Sequence, residues 1–253
     1  MKLRTSHSYP SRRSAILADN MVVTSQPLAA QAGLSMLTKG GNAADAAIAT
    51  AIALTVVEPT GNGVGSDAFA ILWDGEKLHG LNASGRSPTD WSPERFAGLE
   101  EMPIHGWESV TVPGAVSAWV SISERFGKLP FEALFEPAIS YAQNGFIVSP
   151  KIAQLWARGL GILSKQPGFA DHFAPNGQTP QAGERFSNPS LAQTLRQIAE
   201  TRGKAFYEGA LAQAIVTSSK AHGGAMTLDD LAAHKPDWCG TISKGFDDVT
   251  LHE

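Results

Sequence analysis

The spacing of hydrophobic and polar residues changes along the chain, and in most of it follows the period of an amphipathic helix. These helical stretches open at Ser, Asn or Pro, or close at Gly, which are the residues preferred at helix ends. The pattern predicts helices within residues 26–41, 43–57, 113–127, 130–145, 149–163, 188–203, 207–224 and 227–236. The part of the chain that follows Pro113 is therefore predicted to be mainly helical.

Three other segments are predicted to form strands. MVVTS (21–25) is short, apolar and β-branched, as a buried strand would be. Residues 67–84 form two strand-like runs around Asp74-Gly75, a dipeptide typical of hairpin turns. Residues 238–253 also alternate, and the alternation continues to Glu253. We expect the partner strands of this last segment to lie in another chain.

The helix that begins at Asn42 is predicted to be buried on every side. Asn42 is a favourable N-cap residue, and Asp45 lies three positions later, near the positive end of the helix dipole. Alanines occupy positions 43, 46, 47, 49, 51 and 53, so they cover nearly every face. Small side chains let neighbouring elements approach such a helix closely.

Composition and charge argue against several classes of partner. The chain has 253 residues, a formal net charge of -4 and no block of lysine and arginine. This balance disfavours nucleic acid and anionic membranes. No apolar run reaches the roughly 18 residues of a membrane span, and no apolar signal stretch follows the basic residues near the N-terminus. We therefore predict a soluble, cytoplasmic protein with an irregular arm at residues 1–15.

The glycine-rich segment GNGVGSDAF (61–69) does not fit a nucleotide-binding loop. A Walker-type loop follows a strand and ends in Lys-Ser/Thr, and a dinucleotide-binding loop opens a helix. Here the glycines follow a helix, precede a strand and have no lysine among them. We expect a backbone that turns sharply, with Gly61, Gly63 and Gly65 adopting unusual φ angles.

No cofactor, metal site or nucleophile is predicted from the residues themselves. The seven histidines are scattered, and neither a metal-binding His/Cys cluster nor a G-x-S-x-G motif is present. His79 and His105 are interpreted as ordinary strand or loop residues. The single cysteine, Cys239, allows no internal disulfide.

The segment NASGRSP (82–88) is a candidate anion pocket because it ends the second hairpin strand close to the glycine-rich loop. Arg86 could bind a substrate carboxylate with both arms of its guanidinium, and Ser84 and Ser87 could add hydroxyl groups. An alternative is equally compatible with these residues: Arg86 would pair with an acidic residue at the surface, and Pro88 would only end the strand.

Five ordered motifs resemble the γ-glutamyltranspeptidase family. The first is the stretch 40–69, GGNAADAAIATAIALTVVEPTGNGVGSDAF, in which a Gly-Gly-Asn-Ala-x-Asp-Ala-Ala helix leads to a proline and a glycine-rich loop. The others are SVTVPGAVSAW (109–119), AISYAQNGFIVSP (138–150), NPSLAQTLRQIAETRGKAFYEGALAQAIV (188–216) and GGAMTLDDLAAHK (223–235). The resemblance extends over residues 16–253, without a large gap.

The resemblance implies an N-terminal-nucleophile hydrolase with an α+β fold, an αββα four-layer sandwich formed from a self-cleaving precursor. In that family the N-terminal Thr of a small subunit attacks an amide, and the acyl group passes to water or an amine. Residues 16–253 would then be the large-subunit portion. Its expected partners are the small subunit and a small-molecule amide, and its catalytic Thr lies outside this chain.

Departures from the family pattern put γ-glutamyl specificity in question. The family arginine that grips the substrate carboxylate aligns with Ser84 when Pro88 is the anchor, and the nearby arginine is Arg86. The loop here reads Gly65-Ser66-Asp67-Ala68, which adds a carboxylate. We expect Arg86 and Ser84 to bind substrate, with Gly65, Ser66 and Asp67 at the pocket floor.

The expected substrate is a small carboxylate-bearing amide, either a γ-glutamyl compound or oxamate, because the variant loop resembles oxamate amidohydrolase-like members. Two alternatives remain at this point. One is an amidase similar to cephalosporin acylases. The other is a non-catalytic scaffold or binding protein that works without a small subunit.

Overall fold

The computed structural model describes residues 15–253, so the arm predicted at residues 1–15 lies, except for Ala15, outside the described residues. The helices are α1 (Pro27–Thr38), α2 (Ala43–Val57), α3 (Pro93–Phe96), α4 (Ala115–Phe126), α5 (Glu136–Asn144), α6 (Pro150–Leu163), α7 (Phe169–Phe173), α8 (Pro189–Glu200), α9 (Lys204–Tyr207), α10 (Ala210–Ala221) and α11 (Leu228–Ala232). The strands are β1 (Ala68–Trp73), β2 (Leu78–Ala83), β3 (Phe146–Ile147), β4 (Arg185–Phe186), β5 (Asp237–Trp238), β6 (Ser243–Phe246) and β7 (Val249–His252). Helices beside antiparallel strand pairs confirm the predicted α+β class.

The chain divides into two compact units, each assembled from two separate stretches of sequence. The first unit contains residues 15–63 and 128–196, and the second contains residues 64–127 and 197–253. Within the described residues, no helix has the length and apolar character needed to cross a bilayer.

Helix α2 lies at the centre of the first unit, where it packs against α1, α5 and the 3-10 helix Phe131–Phe135. Asn42 caps it as predicted, since its side chain accepts a hydrogen bond from the Asp45 N–H and the Asp45 side chain accepts one from the Asn42 N–H. Eleven of its 15 residues are buried. The prediction of a helix buried on every side is correct for most of α2, but one stripe is accessible, because Ala43 and Ala47 are exposed.

The Asp45 carboxylate also joins the two stretches of the first unit. Asp45 is fully buried, and it accepts hydrogen bonds from the backbone N–H groups of Lys128 at 3.1 Å and Leu129 at 3.3 Å. A buried carboxylate is tolerated only when such donors replace its hydration. The Asp45 side chain therefore caps the start of α2 and also anchors the backbone of Lys128 and Leu129, where the second stretch of this unit begins.

A three-stranded antiparallel sheet in the order β1-β2-β5 forms the framework of the second unit. The predicted hairpin is confirmed: Ala68 pairs with Ala83 and Trp73 with Leu78, around a turn in which Gly75 has a φ of 104°. Asp74 fixes the turn by accepting hydrogen bonds from the N–H groups of Glu76 and Lys77. Helix α4 packs against β1 and β2.

Alternate residues of β1 leave an apolar face exposed. Phe69, Ile71 and Trp73 lie on one side of the strand, with 70%, 45% and 63% of their surface accessible. An exposed apolar strip on a regular strand is uncommon in a molecule that works without a partner.

Two predictions about strands are wrong. Residues 21–25 form no strand, because no described segment pairs with them and the backbone groups of a lone strand have no ladder partners. The alternating residues near the end of the chain do form strands, but β6 and β7 pair with each other, from Ser243 with His252 to Phe246 with Val249. One partner for each strand is thus supplied within this chain, and the outer edges of β6 and β7 pair with no other described strand.

Candidate functional site

The loop that contains Gly65 and Ser66 is held at the start of helix α4. The Ser66 carbonyl accepts hydrogen bonds from the N–H groups of Gly114 at 3.1 Å and Ala115 at 2.8 Å. The first N–H groups of a helix have no partner within the helix, so they are available to an acceptor of this kind. Gly65 itself is exposed, with open space where a Cβ would lie.

Asp67 connects this loop to the end of the hairpin. Its Oδ1 accepts a hydrogen bond from the Gly85 N–H at 3.1 Å. The pairing of Ala68 with Ala83 extends this juxtaposition along the two strands. The structure therefore brings the residues predicted on the loop beside those predicted on the strand end.

Close approach of the backbone explains two glycines of this region. A Cβ on Gly85 would lie 1.5 Å from the Val112 carbonyl oxygen, and one on Gly114 would lie 1.7 Å from the Ala83 carbonyl oxygen. The Val112 N–H donates to the Arg86 carbonyl at 3.0 Å in the same contact. The unusual φ predicted for Gly61, Gly63 and Gly65 is wrong, because none of the three adopts a positive φ.

The Arg86 guanidinium is exposed, and among residues 15–253 it forms no salt bridge or hydrogen bond. No surface acid in that range pairs with it, as the second interpretation of Arg86 would require. Ser84 is less available, because its N–H and its hydroxyl both donate to Asn82 Oδ1, at 2.8 and 2.7 Å. Its oxygen can still accept a hydrogen bond.

Three further residues, which the sequence did not single out, support the start of α4. Ser117 Oγ lies 2.7 Å from the Gly114 carbonyl oxygen and 2.9 Å from His234 Nε2. The Tyr207 hydroxyl donates to the Pro113 carbonyl at 2.8 Å and accepts from the Ser117 N–H at 3.0 Å. The rings of Tyr207 and His234 are stacked, with their centroids 5.4 Å apart.

Burial changes the protonation of both rings. It raises the pKa of Tyr207 to about 12, even though the hydrogen bond from Ser117 acts in the opposite direction. Burial lowers the pKa of His234, and nearby Arg86 adds to this, while the carboxylates of Asp67 and Asp237 act against it. Tyr207 therefore remains a hydroxyl donor, and the neutral form of His234 is favoured.

Asp230, on helix α11, holds the chain just beyond Arg86. Its Oδ1 accepts from the Thr89 N–H at 2.9 Å and from the Thr89 hydroxyl at 2.5 Å. Its Oδ2 accepts from the N–H and hydroxyl of Thr227, the N-cap of α11. Burial acts to raise the pKa of this carboxyl, but these hydrogen bonds outweigh burial and lower it.

The sequence carried weak signals for these supporting residues. Thr227 and Asp230 fit the spacing of a capping box, which predicts the start of a helix but not the second partner at Thr89. Ser117 and His234 are 117 positions apart, so no local pattern could pair them. Within the described part of the chain, no three His, Cys, Asp or Glu side chains gather as metal ligands would.

Comparisons with known proteins agree with one another. The family model described as Gamma-glutamyltranspeptidase matches residues 29–253. The Glutathione hydrolase-like YwrD proenzyme of Bacillus subtilis is 38% identical over 244 residues, which cover 95% of this chain and 46% of the relative. The Oxamate amidohydrolase proenzyme of Klebsiella pneumoniae is 36% identical over 230 residues, which cover 88% of this chain and 43% of the relative.

A solved structure gives the same result for the fold. A cephalosporin acylase from Bacillus halodurans matches with a TM-score of 0.94 and 46% identity, over 100% of this chain and 49% of that one. The chain thus spans about half the length of the relatives it matches.

Proposed function

The chain belongs to the γ-glutamyltranspeptidase family, as its motifs suggested, and we propose that it is the large-subunit part of a Thr-dependent amidohydrolase or acyltransferase. The nucleophile would be the N-terminal Thr of a small subunit, whose own amine can act as the base. The acyl donor would be a small amide that carries a carboxylate, either oxamate or a γ-glutamyl compound.

The reaction with oxamate would follow the usual acyl-enzyme sequence. The Thr oxygen forms an ester bond with the amide carbon while the C–N bond breaks, and the leaving nitrogen takes a proton to depart as ammonia. Water then hydrolyses the ester to release oxalate and free the Thr hydroxyl. With an amine in place of water, the same intermediate would give a new amide.

One observation carries the assignment of the binding pocket to this chain: the exposed Arg86 guanidinium has no partner among the described residues. A guanidinium binds a carboxylate through two parallel N–H···O bonds, which also fixes the orientation of the ligand. The neighbouring N–H of Gly85 is held by Asp67, so the backbone that presents Arg86 is already fixed.

The Asp67 carboxylate offers a way to separate the two substrates. A γ-glutamyl group carries an ammonium beside its carboxylate, and Asp67 could attract that ammonium while Arg86 binds the carboxylate. Oxamate has no cationic group, so Asp67 would favour a γ-glutamyl donor and only restrict the space available to oxamate. The 36% identity with a relative named oxamate amidohydrolase supports the smaller substrate.

The exposed face of β1 supports the proposed partner. Phe69, Ile71 and Trp73 present the kind of apolar surface that a small subunit would cover. Such packing would complete the four-layer αββα sandwich expected from the resemblance.

A cephalosporin-acylase-like activity is the second candidate, favoured by the 46% identity with the acylase structure. That activity also breaks an amide through an acyl-enzyme, so the two candidates differ in the acyl group and not in the chemistry. Substrate preference measured on one preparation separates them.

The test is steady-state kinetics of the assembled protein with oxamate, a γ-glutamyl anilide and a cephalosporin amide. Arg86→Ala should lower kcat/KM for the preferred substrate by about 100-fold, roughly the 3 kcal/mol lost with a charged hydrogen-bonded pair. Asp67→Asn should weaken turnover of the anilide more than turnover of oxamate.

Arg158→Ala is the matched control, because Arg158 is an exposed arginine on α6 in the other unit. It should leave kcat/KM unchanged. A loss below about threefold for Arg86→Ala, close to the noise of such a comparison, would remove Arg86 from the binding pocket.

A further inference from the structure

The segment Thr227–His234, which consists of helix α11 and the residues beside it, is hydrogen-bonded to Thr89 and Ser117, and each of these residues connects it to one wall of the proposed pocket. One wall is the strand end that carries Arg86, and the other is the loop with Ser66, held at the start of α4. The pocket and this segment belong to the same compact unit. We call these residues the α11 segment.

Asp230 connects to the first wall through Thr89. Its carboxylate accepts two hydrogen bonds from Thr89, three positions beyond Arg86, and two from Thr227. A carboxylate that serves donors on two segments fixes the distance between them. Pro88, between Arg86 and Thr89, restricts the connecting backbone further.

His234 connects to the second wall through Ser117 of α4. Ser117 Oγ has a single hydrogen and lies near two acceptor-capable atoms, the Gly114 carbonyl oxygen at 2.7 Å and His234 Nε2 at 2.9 Å. When the hydroxyl donates to Gly114, His234 must donate from Nε2. The N–H of this same Gly114 binds the Ser66 carbonyl.

The α11 segment is itself held in place by the core. Leu231 is fully buried in a cluster with Val112, Ala212, Val216 and Met226. Val112 also donates its N–H to the Arg86 carbonyl. A helix of five residues is not stable alone, so the contacts of Leu231 with the core set the position of α11. The position of α11 in turn sets where Asp230 and His234 lie, and so where their partners Thr89 and Ser117 are held.

We propose that Asp230 and His234 are positioning residues for this pocket: Asp230 sets the place of the Arg86 backbone, and His234 sets the place of the Ser66 loop through Ser117. Neither residue is assigned a contact with substrate. The inference rests on the proposed function for the identity of the ligand, but the coupling between the α11 segment and the two walls is a property of this chain.

His234→Phe is the first test, because phenylalanine keeps the stacking on Tyr207 and removes the Nε2 donor. Amide hydrogen exchange at Gly114 and Ala115, whose N–H groups bind the Ser66 carbonyl, should become about tenfold faster, as expected for a local hydrogen bond lost from the network. His234→Gln supplies an amide N–H near the position of Nε2, and it should restore exchange to within about threefold of wild type.

Kinetics of the assembled protein provide the second readout. Arg86 would hold the substrate carboxylate equally in the ground state and the transition state, so a displaced pocket should raise KM with little change in kcat. We expect about a tenfold rise in KM for His234→Phe and for Asp230→Asn, on the scale of one lost hydrogen bond. Asp230→Asn also serves if the phenylalanine variant does not fold.

His222→Phe is the control, since His222 is an exposed histidine of the same unit that caps α10 and contacts Ser218. It should change neither exchange at the pocket nor KM. Unchanged exchange and KM in both test variants would overturn the inference, as would a failure of His234→Gln to restore what His234→Phe loses. If wild type turns over none of the substrates, the proposed function is wrong, and the exchange result alone still decides the positioning role.

Discussion

At the scale of single residues, three carboxylates link distant segments of the chain by accepting hydrogen bonds from backbone N–H groups. Asp45 accepts from Lys128 and Leu129, Asp67 accepts from Gly85, and Asp230 accepts from Thr89. Each of these contacts links segments at least 18 residues apart in sequence. Charge-assisted hydrogen bonds to backbone N–H groups are strong, so a few side chains fix the relative place of several chain segments.

Tyr207 gives a prediction about alkaline pH. In the folded chain its pKa is raised to about 12, whereas an unfolded tyrosine titrates at about 10. The stabilisation linked to its protonated form is therefore complete below pH 10 and is lost as the pH rises towards 12. Burial also raises the pKa of Tyr141, so the feature to follow in phenolate absorbance is the transition near pH 12, which should be missing in Tyr207→Phe. A Tyr207 that titrates near 10 in the folded chain would contradict this.

Residue-level predictions from sequence succeeded where partners are close along the chain. Asn42 and Asp45 are three positions apart, and the N-cap role of Asn42 was predicted, although the return hydrogen bond to the Asp45 side chain was not. The contacts of Asp45 with Lys128 and Leu129 bridge more than 80 residues, so no local pattern announced them. The hairpin predicted that Ser84, Asp67 and Arg86 lie near one another. The hydrogen bond between His234 and Ser117 depends on tertiary packing, so it could not be predicted.

At the scale of elements, the hairpin is the part that the sequence predicted best. The Asp74-Gly75 turn fixes the register of β1 and β2, and the register in turn brings Asp67 beside Gly85. MVVTS (21–25) failed because β propensity describes how a residue fits a sheet and does not supply a partner strand. Most predicted helices are confirmed because their end signals and apolar periods are local. Part of the helix predicted within residues 130–145 is instead the 3-10 helix Phe131–Phe135, and the short helices α3, α7 and α9 were not predicted.

Gly85 provides a prediction at this scale. Gly85→Ala would place a Cβ 1.5 Å from the Val112 carbonyl oxygen, so β2 and the segment before α4 would have to separate. We expect a loss of about 3 kcal/mol in the free energy of unfolding, the upper part of the range for overpacking. We also expect weaker substrate binding at the pocket. Urea unfolding followed by circular dichroism measures the first effect.

Gly98→Ala is the matched control, because Gly98 lies in the same unit with open space around its Cβ position and no positive φ. It should change the free energy of unfolding by less than about 1 kcal/mol, as surface changes usually do. Equal stability of the two variants would show that the Gly85 contact is not a constraint.

At the scale of the whole molecule, the chain is two compact units, each built from two stretches of sequence, with the exposed β1 face on the second. The α+β class and the family could be predicted from ordered motifs. The division into interleaved units could not, because it depends on long-range contacts such as those of Asp45. The chain corresponds to about half of the length of its relatives, and we propose that a polypeptide equivalent to their other half supplies the nucleophile.

The most direct test of that proposal is to purify this protein from its source cells and sequence the N-terminus of every polypeptide that remains associated with it. We predict a second polypeptide that begins with Thr, together with hydrolysis of oxamate or a γ-glutamyl amide by the complex. A well-folded chain that is isolated alone, with no such partner and no amide hydrolysis, would contradict the enzymatic account and favour a binding or scaffold role.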